Sequence, residues 1–228
     1  MFLAQTWMIE KAMNAAKPVV ISTQVMDTMA EQDLPTRGEA SDIAQCIIDG
    51  ADSVLLSGET ATGAYPQLAL QQLVKVCCEA ENVDYEKLFH DIKEHTPSKQ
   101  VKAAEAIAAT SCQVALETGA DIIIAMTETG KIARYIAKYR PVTPILACST
   151  SSYVVRQMNL LRGVMGYKIP EFIRIRTEKL LRLILKVCQE QGLIETGKVV
   201  IVHGEDEDTP NESNTFKMVD LDVYAGKV

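Results

Sequence analysis

The chain lacks any apolar run near the ~20 residues of a membrane span, and no signal-peptide pattern opens it. Membrane partners are therefore not expected, and the reading is a cytoplasmic protein. A basic surplus is also missing, because 23 Lys and Arg stand against 30 Asp and Glu, for a net charge of -7. Nucleic acid is excluded as the main partner, since neutralising phosphates needs Lys and Arg in excess. Histidine is scarce: the three at 90, 95 and 203 do not accompany the cysteines at ligand spacing. The six cysteines, at 46, 77, 78, 112, 148 and 188, form no CxxC pair. They read as free thiols, most of them buried, in a reducing compartment. No metal site is expected within the chain, and no solenoid repeat is visible.

What is present suits a soluble globular protein. Apolar residues make up 47% and charged residues 23% of the 228. That length serves one large domain or two modest ones, burying roughly 70% of the unfolded surface. Residues 3–16, 39–48 and 67–81 have helical spacing, and 19–22 and 53–56 read as strands between them. The alternation predicts a parallel sheet. Residues 83–100 are polar and read as a linker with at most one short helix. A second α/β block follows. Helices are predicted at 103–117, 131–138, 151–159 and 176–191, and strands at 121–126, 144–148, 167–169 and 198–203. Residues 214–223 read as a final antiparallel edge strand. The basic stripe Arg174, Arg176, Lys179, Arg182 and Lys186 reads as a solvated helix face.

Two strand ends carry the chemistry. In Pro18-Val19-Val20-Ile21-Ser22-Thr23-Gln24 and in Ser53-Val54-Leu55-Leu56-Ser57-Gly58-Glu59-Thr60, an apolar run stops at hydroxyl residues. Buried parallel strands read as continuous apolar runs, and α/β folds place their sites at the C-terminal ends. Thr23 and Ser57 are 34 positions apart, about one β-α-β repeat, so they are expected on neighbouring strand ends. Two strands alone cannot satisfy their outer edges, so an upstream segment or another chain is expected to complete this sheet.

The motifs Phe2-Leu3-Ala4-Gln5, Ile21-Ser22-Thr23-Gln24, Pro35-Thr36-Arg37-Gly38-Glu39 and Leu56-Ser57-Gly58-Glu59-Thr60-Ala61 resemble pyruvate kinase. Tyr139-Arg140-Pro141 and Leu161-Arg162-Gly163 resemble that family's C-terminal domain. The resemblance covers nearly the whole chain but only the last part of the family's length. It implies the last two β/α units of a TIM (β/α)8 barrel in residues 1–82. A separate three-layer α/β domain in 101–228 would follow the linker. It also implies phosphoryl transfer from phosphoenolpyruvate to ADP, giving pyruvate and ATP in glycolysis, by a cytosolic homo-tetramer. Mg2+ (or Mn2+) and K+ would be held by residues absent from this chain, so the chain alone is expected to be inactive.

Carried over residue by residue, Thr23 matches the substrate-carboxylate threonine, and Ser57 and Glu59 match the second catalytic cluster. A serine hydroxyl is too weak an acid to protonate the enolate alone, which implies a water relay. The plain alternatives are a turn former at Thr23 and a structural turn at Ser57-Gly58-Glu59. Gly38 stands where the family has alanine, and Thr6 and Thr62 stand where lysines are common. The loop Thr127, Thr129, Gly130, Lys131 opens a helix after a strand, which suits an anion. In the family the matching loop holds an activator's phosphate. Glu128 weighs against phosphate, as does the run Glu205-Asp206-Glu207-Asp208. Like charges repel by about 1 kcal/mol per pair at ~4 Å even in bulk water. A weak or absent response to fructose 1,6-bisphosphate is expected. The alternative to an enzyme portion is a non-catalytic module that binds a phosphorylated effector or full-length subunits.

Overall fold

The computed structural model describes residues 2–82, 84–94, 101–170, 177–194, 197–203 and 215–221. The chain divides after Asp84 into two units, each with its own sheet.

The first unit runs α1 (Phe2–Asn14), β1 (Val20–Ser22), a 3-10 turn (Asp27–Ala30), α2 (Arg37–Asp49), β2 (Ser53–Leu55), α3 (Gly58–Ala61) and α4 (Pro66–Ala80). A capping box starts α2: the Glu39 N–H donates to Thr36 Oγ1, and the Glu39 carboxylate accepts the Thr36 N–H. Gly50 ends α2 in the left-handed region at φ 108°, where a Cβ would lie 2.4 Å from Met13 Sδ. Pro66 starts α4 at a first-turn position, where its missing N–H is no loss.

Strands β1 and β2 pair in parallel, with Val20 opposite Ser53 and Ser22 opposite Leu55. Val54 packs on a core of Val25, Met26, Met29, Ile43, Ala69 and Leu73. On the other face Val20 is 40% and Leu55 50% exposed, so one side of this sheet carries uncovered apolar residues.

The second unit contains α5 (Tyr85–Glu94), α6 (Ala103–Thr118), β3 (Ile122–Met126), α7 (Lys131–Lys138), β4 (Ile145–Ser149), α8 (Ser152–Met158), β5 (Val164–Lys168), α9 (Thr177–Glu190), β6 (Lys198–His203) and β7 (Thr215–Asp220). Its sheet has the order β5-β4-β3-β6-β7, parallel except for β7, which runs antiparallel to β6. Strand alternation splits the core in two. Ile123, Ala125, Val200 and Val202 pack on one side with residues of α5 to α8. Ile122, Ile124, Val199 and Ile201 pack on the other with Ile184, Leu185 and Cys188 of α9. This gives three layers around a mixed sheet.

Some elements differ from the sequence reading. Residues 85–94, in the stretch read as a linker with room for one short helix, form α5 and belong to the second unit. Its Phe89 is buried in the second unit's core, with its ring 5.8 Å from that of Tyr139. A polar composition concealed one apolar stripe. The linker positions 83 and 95–100 lie outside the described residues. β5 is longer and earlier than 167–169, pairing with β4 from Val164 to Lys168; Gly166 within it packs tightly, and a Cβ there would meet Val155 O at 2.3 Å. The 3-10 turn and α3 are too short to show any periodicity. Cys78 is exposed, whereas Cys46, Cys112, Cys148 and Cys188 are buried free thiols. Of the basic stripe, Arg182 and Lys186 are exposed and Lys186 pairs with exposed Glu190 at 3.8 Å. Arg174, Arg176 and the Lys179 side chain lie outside the described residues.

Candidate functional site

The parallel register sets Ser22 beside Leu55, so the residues that follow, Thr23 and Ser57, leave the same end of the sheet. Thr23 has φ 66° and Gln24 φ 53°, two consecutive left-handed residues that are not glycine. A left-handed backbone costs roughly 1–2 kcal/mol per residue for side chains with a Cβ, and a β-branched threonine is a poor occupant. Strain of this kind persists only where neighbours over-determine it, and it clusters at functional positions. The Thr23 and Ser57 side chains are exposed, and no described residue engages either hydroxyl.

Glu59 behaves differently. It is 2% exposed. Its Oε1 accepts the Met26 N–H at 3.1 Å, and its Oε2 accepts the Ser57 N–H at 2.7 Å. Burial pushes the carboxyl pKa up. The backbone N–H groups of Glu59, Ser57 and Met26 push it down and win, and the Glu39 charge opposes them weakly. The carboxylate ties the β1 loop to the β2 loop.

Glu39, which the sequence reading did not single out, does parallel work. It accepts the Thr28 N–H at 2.9 Å, the Thr28 hydroxyl, and the Thr36 N–H at 2.8 Å. Burial raises its pKa, and these donors together bring it below the usual carboxylate value. The spacing Thr36-x-x-Glu39 before an apolar run was the available signal, as a capping box. Its second function, gripping Thr28, has no signature in the sequence.

Thr6 and Thr62, which replace lysines of the motif, bond internally: Thr6 to Asp49 at 2.9 Å and Thr62 to the Gly58 carbonyl at 3.3 Å. At Gly38 a Cβ would find only Thr36 Oγ1, at 4.0 Å, so nothing in the structure explains glycine there. Near the strand ends, the Glu39 and Glu59 carboxylates are each engaged by N–H or hydroxyl donors. Among the described residues, no group of three or more His, Cys, Asp or Glu is placed to hold a metal.

In the second unit, the loop from β3 to α7 carries Thr127, Thr129, Gly130 and Lys131. Gly130, at φ 76°, is the N-cap of α7 and donates its N–H to Thr127 Oγ1 at 2.9 Å. Thr127, rather than Thr129, therefore shapes the turn. Arg134, absent from the sequence reading, donates to the Thr129 carbonyl at 3.3 Å and sets a second cation near Lys131. The acidic run 205–208 lies outside the described residues. Tyr139-Arg140-Pro141 is a buried turn: Arg140 takes φ 49° and donates to the Ala137 carbonyl at 3.2 Å.

Residues 1–70 match the model of the pyruvate kinase barrel domain, and residues 105–219 that of the pyruvate kinase alpha/beta domain. Pyruvate kinase of Eimeria tenella is 40% identical over 220 residues, which is 96% of this chain and 41% of the relative. Pyruvate kinase of Dictyostelium discoideum is 38% identical over 223 residues, covering 96% and 43%. A solved pyruvate kinase from Cryptosporidium parvum superposes with a TM-score of 0.88 at 39% identity, over 96% of this chain and 43% of that one. A structure of the Cryptosporidium parvum enzyme in complex with ADP gives 0.83 at 40% identity. The chain thus spans less than half the length of the relatives it matches.

Proposed function

The chain belongs to the pyruvate kinase family. From that premise we propose that it supplies the closing two β/α units of the barrel and the C-terminal α/β domain of an enzyme that phosphorylates ADP from phosphoenolpyruvate. The observation that supports this most is the strained, unengaged Thr23 at the β1 end, beside Ser57 on a parallel neighbour. A non-catalytic module has no reason to carry that strain. The uncovered apolar face of β1 and β2 suits strands that continue a barrel.

In this reading the Thr23 hydroxyl donates to the substrate carboxylate. A neutral donor does this without a buried charge of its own, and the rigid strand end fixes its direction. When the phosphorus–oxygen bond breaks, the phosphoryl group passes to a terminal phosphate oxygen of ADP. The remaining enolate then takes a proton at its methylene carbon. Ser57 holds and passes a proton through water on that side. The family's Mg2+ (or Mn2+) and K+ supply charge neutralisation, from residues other than those described here. A cytoplasmic homo-tetramer is the proposed assembly.

Isotope-edited spectra of the chain with phosphoenolpyruvate test the site. Amide signals of Thr23 and Ser57 are expected to shift, and Thr23→Val should weaken that response about tenfold, the value of one hydrogen bond to a charged group. Shifts confined to other regions would defeat the assignment.

The loop of Thr127, Thr129, Gly130 and Lys131, reinforced by Arg134, is proposed as a weak effector-phosphate site. Calorimetry with fructose 1,6-bisphosphate should show no saturable sub-micromolar binding. Tight binding would reverse this reading.

A further inference from the structure

Glu59 is a buried carboxylate with no cationic partner among the described residues. Removing such a charge from water is costly unless donors replace the lost hydration. Here the donors come from both strand-end loops: Met26 N–H after β1 and Ser57 N–H after β2. One more hydrogen bond joins the same loops. Ala64 N–H donates to the Ala30 carbonyl at 2.8 Å. Gly63 allows that approach, since a Cβ there would stand 2.5 Å from Glu59 O and 3.0 Å from Ala30 Cα. The stretch between the strained pair and these contacts is short. Val25 and Met26 are buried directly after Gln24, so the chain has little slack through which Thr23 could relax.

We propose that Glu59 is a positioning residue: its carboxylate locks the two loops into one body and thereby holds Thr23 in its left-handed turn beside Ser57. The proposal rests on the reading of Thr23 and Ser57 as substrate-facing residues. It assigns Glu59 no contact with the reacting atoms. Glutamine cannot substitute, because an amide has one acceptor oxygen, and its NH2 would face whichever backbone N–H lost its partner.

Amide hydrogen exchange on the whole chain tests it. In Glu59→Gln, the Met26 and Ser57 amides should exchange at least about tenfold faster, while Ile43 and Ile47 in α2 stay within about twofold. The Thr23 Cα and Cβ shifts should leave their left-handed values. Gly63→Ala, which keeps the carboxylate but presses on the Glu59 backbone and on Ala30 and so parts the same loops, should move the same signals. Unchanged exchange at Met26 and Ser57, or equal acceleration throughout the first unit, would overturn the proposal. If neither variant folds, the wild-type chain decides. A carboxylate that holds both amides requires both to be protected, and exchange of either at the rate of an unstructured peptide refutes it. Phosphoenolpyruvate separates the two claims. A wild-type chain without Thr23 shifts overturns the substrate assignment, whereas the exchange results judge Glu59.

Discussion

At the scale of single residues, the two carboxylates of the first unit make it sensitive to acid. Glu39 and Glu59 both sit below the usual carboxylate value when folded, because backbone and hydroxyl donors outweigh burial. A depressed folded pKa contributes stability that is complete above the unfolded value, near 4.5, and lost as pH falls through the folded one. Urea midpoints of the first unit should therefore stay level above about pH 5.5 and decline below about pH 4.5. Glu59→Gln should remove part of that decline along with part of the stability. A slope in the variant equal to wild type would contradict the assignment. The cysteines titrate in the opposite direction. Burial pushes the Cys112 and Cys148 thiols well above their ordinary values, so these residues serve as packing atoms and not as nucleophiles. Tyr139, beside the part-buried Glu105–Lys138 pair, is pushed up to about 12 by burial first and the Glu105 charge second.

At the scale of elements, helix ends decide most boundaries. The Gly119 and Gly192 turns follow from residue type, since few residues accept positive φ, whereas the Thr36 cap and the Gly50 turn of α2 emerged with the structure. Gly130, at the start of α7, is a comparably demanding position. Its φ is 76°, and a Cβ would lie 2.4 Å from Met158 Cε, a buried side chain. Gly130→Ala should destabilise the second unit by about 1–3 kcal/mol, combining left-handed strain with overpacking. Equilibrium unfolding followed by a probe in that unit would measure it, and a loss below about 0.5 kcal/mol would show that the turn relaxes freely. The 3-10 turn is held from elsewhere in the chain: Glu39 accepts from Thr28, and Glu59 of α3 accepts the N–H of Met26 just before the turn. Such support leaves no local pattern.

At the scale of the whole molecule, the described residues include two parallel strands with one open apolar face and a three-layer unit with a complete mixed sheet. Phosphoryl transfer depends almost entirely on cations that stabilise the spreading charge. The strand ends here offer hydroxyls and committed carboxylates instead. The purified 228-residue chain is accordingly expected to convert phosphoenolpyruvate and ADP no faster than background in a coupled assay. Turnover above background would show that its own residues suffice. No described helix is long and apolar enough to cross a membrane.

Apolar runs, hydroxyl-ended strands and glycines were enough to establish the α/β pattern and the two blocks, because each is a local preference written in consecutive residues; the family was legible only through the resemblance of its ordered motifs. The sequence also placed Thr23 and Ser57 on neighbouring strand ends from spacing alone. Only the tertiary structure decided what Glu59 does. Its partners, the N–H groups of Met26 and Ser57, belong to backbones, and backbone donors are the same in every residue but proline. Their selection depends on which loops the parallel pairing of β1 and β2 brings within reach of one carboxylate.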